Sequence, residues 1–137
     1  MRYLPVSLAL GALRRGRAIE QLLGGFEEDG RRGVEHAAIL PMQSGVFYVR
    51  RWAVEDTAPL DEHSGLLYPS DDAFYREDSD QEGGRQVGSA PTPEGAMELA
   101  ERKLGADPRW WVNVGMLGYE YRDFVERGRP LGQRKPS

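Results

Sequence analysis

Residues 34–54, VEHAAILPMQSGVFYVRRWAV, contain the strongest fold signal in the chain. The runs Val34 to Met42 and Val46 to Val54 are rich in aliphatic, β-branched and aromatic residues, which favour strands. The short connection Gln43-Ser44-Gly45 ends in a glycine, which can take the positive φ angle that a tight reversal needs. The stretch therefore predicts a β-hairpin.

Alternation along the second run divides its side chains between two faces of the predicted sheet. One set is Val46, Tyr48, Arg50 and Trp52, and the other is Phe47, Val49, Arg51 and Ala53. Neither set is cleanly polar, so we expect a helix to cover one face and the other to be partly exposed.

Upstream of the hairpin, apolar residues recur at roughly helical spacing at Leu8, Leu10, Leu13, Ile19, Leu22 and Leu23. This spacing predicts an amphipathic helix from Ser7 to Leu23, capped by Ser7 and ended by Gly24-Gly25. Its basic face would contain Arg14, Arg15 and Arg17. The charged residues from Glu27 to Gly33 predict a loop.

Downstream, Gly84 to Ala90 predicts a short strand, and Thr92-Pro93-Glu94 is a typical helix start. That second helix should end at Gly105. Trp110 to Val114 predicts a strand or a turn, and Leu117, Tyr121, Phe124 and Val125 share one face of a third helix ending at Gly128.

This order of elements predicts an α+β fold, with a small antiparallel sheet and helices packed on one face. A length of 137 residues fits one domain spanning residues 1–137. Within it we expect a long acidic loop at about 55–82 and a frayed tail at about 129–137.

The segment 55–82 has ten acidic residues against a single Arg76, a net charge of about minus nine in a chain whose total is minus four. Such a segment can attract a basic partner by long-range electrostatics. We therefore expect a protein partner with a basic surface. The candidate contacts in the segment are Asp71, Asp72, Glu77, Asp78 and Asp80.

The adjacent pair Trp110 and Trp111 is the second candidate contact. Neighbouring residues on a strand point to opposite faces, so both rings cannot enter the same core. We expect one ring to pack in the core and the other to contact a partner or a second copy of the chain.

Motifs for catalysis, cofactors or metals are missing from the sequence. The chain has no cysteine, and its two histidines, His36 and His63, lack metal-ligand spacing. Ser44 lacks a nucleophile elbow, no phosphate-binding loop is present, and the calcium-like run 78–83 has Ser89 where the closing Glu belongs. We therefore predict no catalytic residue, no cofactor and no metal site.

The first 13 residues resemble a signal peptide only until Arg14, and no apolar run is long enough for a membrane span. We expect a cytoplasmic protein without a membrane partner. The excess of Arg over Lys, 16 to 2, suggests a GC-rich bacterial source. The basic cluster near Arg14 and Arg31 belongs to an acidic chain with no nucleic-acid motif, which argues against nucleic-acid binding.

Three hypotheses on function follow from these observations. The preferred one is a non-catalytic protein-binding domain of the immunity, antitoxin or inhibitor type, acting through its acidic surface. The second is a small enzyme or small-molecule-binding domain, with a pocket between sheet and helices formed by Glu35, His36 and Arg50 or Arg51. The third is a structural subunit, including a homo-oligomer, of a larger assembly.

Overall fold

The structure is a computed structural model, and it describes residues 2–56 and 85–133. The residues between and beyond these ranges, including most of the predicted acidic loop, lie outside the description. The elements are α1 (Val6–Arg14), β1 (Ile19–Glu28), β2 (Arg31–Pro41), β3 (Phe47–Glu55), β4 (Arg85–Ala90), α2 (Pro93–Leu104), β5 (Val112–Asn113), α3 (Leu117–Glu126) and β6 (Gly132–Gln133).

The strands form one antiparallel sheet in the order β4-β3-β2-β1-β5, and β6 also pairs with β1. The predicted hairpin is confirmed, since β2 and β3 pair from Gly33 opposite Glu55 to Pro41 opposite Phe47. Gly45 in the connection has a φ of 87°, which favours glycine there. The α+β class and the antiparallel sheet are confirmed as well.

The predicted first helix is wrong in its second half. The helix ends at Arg14, and Ile19 to Leu23 belong to β1 instead. Gly16, with a φ of 81°, lies in the turn between α1 and β1. Strand β1 is buried on both faces. A strand of this kind has consecutive apolar residues, and their spacing does not distinguish it from a helix. Pro5, not Ser7, occupies the N-cap position.

The loop predicted from Glu27 to Gly33 is also wrong. Strands β1 and β2 pair as far as Glu28 opposite Arg31 and reverse through Asp29 and Gly30. Both turn residues have positive φ angles, 54° and 76°. Asp-Gly is a preferred sequence for this tight turn, so its charged neighbours Glu28 and Arg31 are strand residues.

Strand β4 and the other two helices agree with the sequence predictions. The Thr92 hydroxyl accepts a hydrogen bond from the Gly95 N–H at 3.0 Å, and Gly105 ends α2 with a φ of 71°. The aromatic stretch forms the short strand β5, and α3 follows it. In the predicted tail, Gln133 pairs with Gly24 of β1.

The helices lie on two sides of the sheet, whereas the sequence predicted them on one face; residues of both alternating sets of the strands are buried, so both faces are covered. On the α2 face, α1 and α2 pack against a core that includes Ala37, Ile39 and Val49. On the α3 face, the apolar residues of α3 pack against Leu22, Val34 and Val54, whose side chains point away from α2. Each residue of the hairpin is therefore assigned to the α2 face or to the α3 face.

Candidate functional site

A cleft of about 520 Å³ opens on the α2 face where α2 ends. We call it the basic cleft, and its lining residues are Glu35, Arg51, Arg85, Gln86, Val87, Lys103 and Leu104. Strands β2, β3 and β4 supply its floor, and the last turn of α2 supplies one wall. Its position agrees with the sequence hypothesis of a pocket between sheet and helices.

The register of the sheet determines which charges meet in the basic cleft. Arg51 of β3 lies directly opposite Arg85 of β4, and both line the cleft. On the other side, Arg51 donates a hydrogen bond from Nη1 to Glu35 Oε2 at 3.1 Å. Lys103 approaches from the helix. Among the described lining residues, three are cationic and one is acidic.

The pairing of Arg51 with Arg85 is unfavourable for the fold by itself. Like charges at directly opposed positions of neighbouring strands repel each other and weaken the sheet. Arg85 and Lys103 are exposed, whereas Arg51 is half-buried. The exposed cations Arg85 and Lys103 can therefore approach an anion beside Arg51, and guanidinium groups can bind two oxygens of one anion.

A second, smaller cleft of about 210 Å³ adjoins the first. We call it the glycine cleft, and it is lined by Leu23, Gly24, Gly25, Phe26, Glu35, Leu104 and Gly132. Glu35 and Leu104 belong to both clefts. The ring of Phe26 packs over Gly33, where a Cβ would lie 2.3 Å from the ring, so only glycine accommodates the ring in this position.

Of the residues in the sequence hypothesis of a pocket, the structure brings together Glu35 and Arg51 but not His36 and Arg50. Alternation directs the latter two to the α3 face. His36 stacks on Trp52 with ring centroids 5.0 Å apart and planes at 9°. Burial lowers the pKa of His36 to about 4, so the ring is neutral at pH 7. Glu35 and His36 therefore do not act as a pair.

Trp110 and Trp111 differ in burial. Trp111 is fully buried and belongs to the core beneath α1 and α2. Trp110 is half-buried, and the Arg109 guanidinium carbon lies 5.3 Å from its ring centroid. Any contact of this pair with a partner would therefore involve Trp110.

The predicted contacts Asp71, Asp72, Glu77, Asp78 and Asp80 lie outside the described residues. The structure does describe where the chain leaves β3 towards them. The Asp56 carboxylate, 1% exposed, accepts hydrogen bonds from the Tyr121 hydroxyl and from Arg129 Nε at 2.7 Å.

Arg85, Lys103 and Arg129 were not predicted from the sequence as functional residues. Predicting Arg85 as a cleft residue requires the β3–β4 register, which a single sequence does not contain. Predicting Lys103 as a cleft residue requires the angle at which α2 packs on the sheet. Arg129 was expected in a frayed tail, yet its side chain is only 10% exposed.

Within residues 2–56 and 85–133, no group of three or more His, Asp or Glu side chains is arranged to hold a metal ion. No helix among the described residues is long and apolar enough to cross a membrane.

Comparison of the chain with protein-family models, with curated proteins and with solved structures found no match.

Proposed function

We propose that this protein is a non-catalytic binding domain that holds an anionic group of its ligand in the basic cleft. The observation that carries the proposal is the cross-strand pair Arg51 and Arg85, with Lys103 beside it and Glu35 as the single acidic lining residue described. This like-charge pair destabilises the sheet, and a role in binding a ligand would explain its presence.

The chemistry of the three cations favours an oxyanion, either a carboxylate or a phosphate. Two guanidinium groups supply several N–H donors in planar, fork-shaped sets that match two oxygens of one ligand group. Lys103 adds a point charge that can follow the ligand because its side chain is exposed.

The proposal is tested by titrating isotope-labelled protein with inorganic phosphate, and separately with acetate, at low salt. We expect the backbone amides of Arg51, Arg85 and Lys103 to shift with at least one of the two anions. The double variant Arg51→Gln/Arg85→Gln should weaken binding by about tenfold or more, because two charge-assisted hydrogen-bond donors are lost.

The matched control is Arg14→Gln/Arg102→Gln, which removes the same net charge at two exposed arginines that pair with Glu94 and Glu98. It should retain the affinity of the unmodified protein. Equal weakening in both double variants would show that only the total charge matters, and the proposed site would be wrong. Absence of any shift with either anion would overturn it as well.

A second candidate function is the binding of a basic protein partner through the segment 57–84, as expected for an immunity, antitoxin or inhibitor protein. Its support is the concentration of eight acidic residues in this segment, together with the buried Asp56 contacts at its first end. A cytoplasmic location, a bacterial source and self-association remain expectations from the sequence alone.

The second candidate is tested by capture experiments at low and moderate salt. One variant changes Asp71, Asp72, Glu77, Asp78 and Asp80 to amides. The control makes the same change at five exposed acids elsewhere, Glu27, Asp29, Glu94, Glu98 and Glu126. A basic partner retained by the control and lost by the first variant would support this function, because exposed charges act with strong salt dependence. Retention by both variants would contradict it.

A further inference from the structure

We infer that the ligand is a small organic anion with an apolar body that occupies the basic cleft and the glycine cleft together. This inference rests on the proposed function and adds the chemical class of the ligand. The anionic group would bind Arg51, Arg85 and Lys103, and the apolar body would lie against Leu23, Phe26 and Leu104.

The two clefts adjoin each other on one face of the protein. Both are lined by Glu35 and Leu104, so the boundary between them consists of one half-buried carboxylate and one half-buried leucine. Their volumes, about 520 Å³ and about 210 Å³, lie in or near the range of small-molecule sites. A single small molecule can therefore extend from one cleft into the other.

The ends of this combined site differ in chemistry. The basic cleft has an excess of cationic side chains, whereas the glycine cleft has two apolar side chains of its own, Leu23 and Phe26, and three glycines. Gly24, opposite Glu35 in the sheet, leaves its position on the floor without a side chain, so a flat ring or chain can approach the backbone closely there. Small-molecule sites combine an apolar lining with a few polar anchors in this way.

Two of the three glycines are required by the fold. A Cβ at Gly25 would point to the α3 face, where it would lie 2.7 Å from the Phe124 ring and 2.8 Å from the Pro130 carbonyl oxygen. Gly132 has a φ of 88°, which a side chain would strain. Gly25 and Gly132 are therefore fixed by packing and backbone conformation, independently of any ligand.

The test compares three probes by titration of isotope-labelled protein: phenyl phosphate, inorganic phosphate and benzyl alcohol. Phenyl phosphate has both chemical features, and each of the others has one. We expect phenyl phosphate to bind about tenfold or more tightly than inorganic phosphate, since its ring leaves water for an apolar surface. Its ring protons should show nuclear Overhauser contacts to the side chains of Leu23, Phe26 or Leu104.

The variant Leu104→Ala should reduce the affinity for phenyl phosphate towards that for inorganic phosphate. Leu10→Ala is the matched control, because Leu10 is also a half-buried leucine packed against the α2-face core but lies outside both clefts. Thermal melts of both variants establish that they fold. The Overhauser contacts need no mutation, so they test the inference even if Leu104→Ala is unstable.

The outcomes separate the inference from the function on which it rests. If phenyl phosphate and inorganic phosphate bind equally at Arg51 and Arg85, the apolar body has no site and the inference is overturned, while the proposed function stands. If the ring contacts residues outside the glycine cleft, the inference is overturned too. If none of the anions, acetate included, binds at the basic cleft, the proposed function itself is wrong.

Discussion

Neighbouring residues of the β2–β3 hairpin lie on opposite faces of the sheet and have different surroundings. Glu35 and Arg51 line an open cleft on the α2 face, whereas His36 and Arg50, one position away in sequence, belong to the α3 face. The charged side chains that line the cleft on the α2 face lie close to solvent. Composition alone therefore does not predict which charged residues of a hairpin line a binding cleft.

The α3 face uses its charged groups for internal contacts. Asp56 is bound by Tyr121 and Arg129, and the buried Glu120 carboxylate accepts hydrogen bonds from Arg2 at 2.7 Å and from the Tyr3 hydroxyl at 2.9 Å. On the α2 face, by contrast, the cross-strand arginines repel each other. We therefore expect substitutions on the α3 face to affect stability and those in the basic cleft to affect binding.

The largest effect should come from Asp56→Ala. Removing this carboxylate removes one hydrogen-bond acceptor from Arg129, 10% exposed, and from the Tyr121 hydroxyl, and breaks a buried ion pair, which should lower the free energy of unfolding by about 3 kcal/mol. The measurement is urea denaturation followed by tryptophan fluorescence.

Glu55→Ala provides the control one residue away. Glu55 pairs with Arg31 near the surface at 2.5 Å, and such exposed pairs contribute about 1 kcal/mol or less. Equal losses for the two variants would contradict the proposed difference between the faces at this end of β3.

A second effect should appear in the pH dependence of stability through His36. Its pKa is lowered by burial to about 4 from an ordinary 6.5, so between these values the unfolded chain binds more protons than the native one. Stability from this residue is therefore complete above about pH 6.5 and decreases as the pH falls, by about 3 kcal/mol near pH 4.

The variant His36→Phe keeps an aromatic ring for the stack with Trp52 but has no proton to bind. Urea denaturation of both proteins at pH 4.5 and at pH 7 should show a smaller loss of stability for the variant. All other titratable groups are the same in both proteins, so their contributions cancel in the comparison. An equal loss in the two proteins would mean that His36 is not the buried, neutral group described.

The smallest effect should come from Glu35→Gln in the basic cleft. Removing the negative charge beside Arg51 should strengthen phosphate binding by about threefold, since an exposed charge interaction of this kind contributes under about 1 kcal/mol. The change in unfolding free energy should be of similar or smaller size. Weaker binding in this variant would indicate that Glu35 positions Arg51 rather than competing with the anion.

Local sequence signals predicted the elements whose determinants lie close together in the chain. The hairpin at Gly45 and the capped helix from Thr92 to Gly105 depend on turn and cap residues, and both were correct. The helix expected to reach Leu23 was wrong, because burial on both faces of β1 is a property of the whole fold.

The candidate site was predictable only in part. Glu35 and Arg51 were proposed from the sequence, but His36 was grouped with them although adjacent strand residues face opposite ways. Arg85 and Lys103 were missed, because they reach the cleft through a strand register and a helix position that depend on distant residues.

Residues 34–54 form a hairpin whose side chains alternate between two faces because strand propensity and turn chemistry are local. Which helix covers which face, and that Arg51 lies opposite Arg85, depend instead on packing between distant parts of the chain. The physical reason is that register and helix docking minimise the exposure of apolar surface over the whole chain at once. The open end of the α2 face, and with it the cleft, is a result of that global packing.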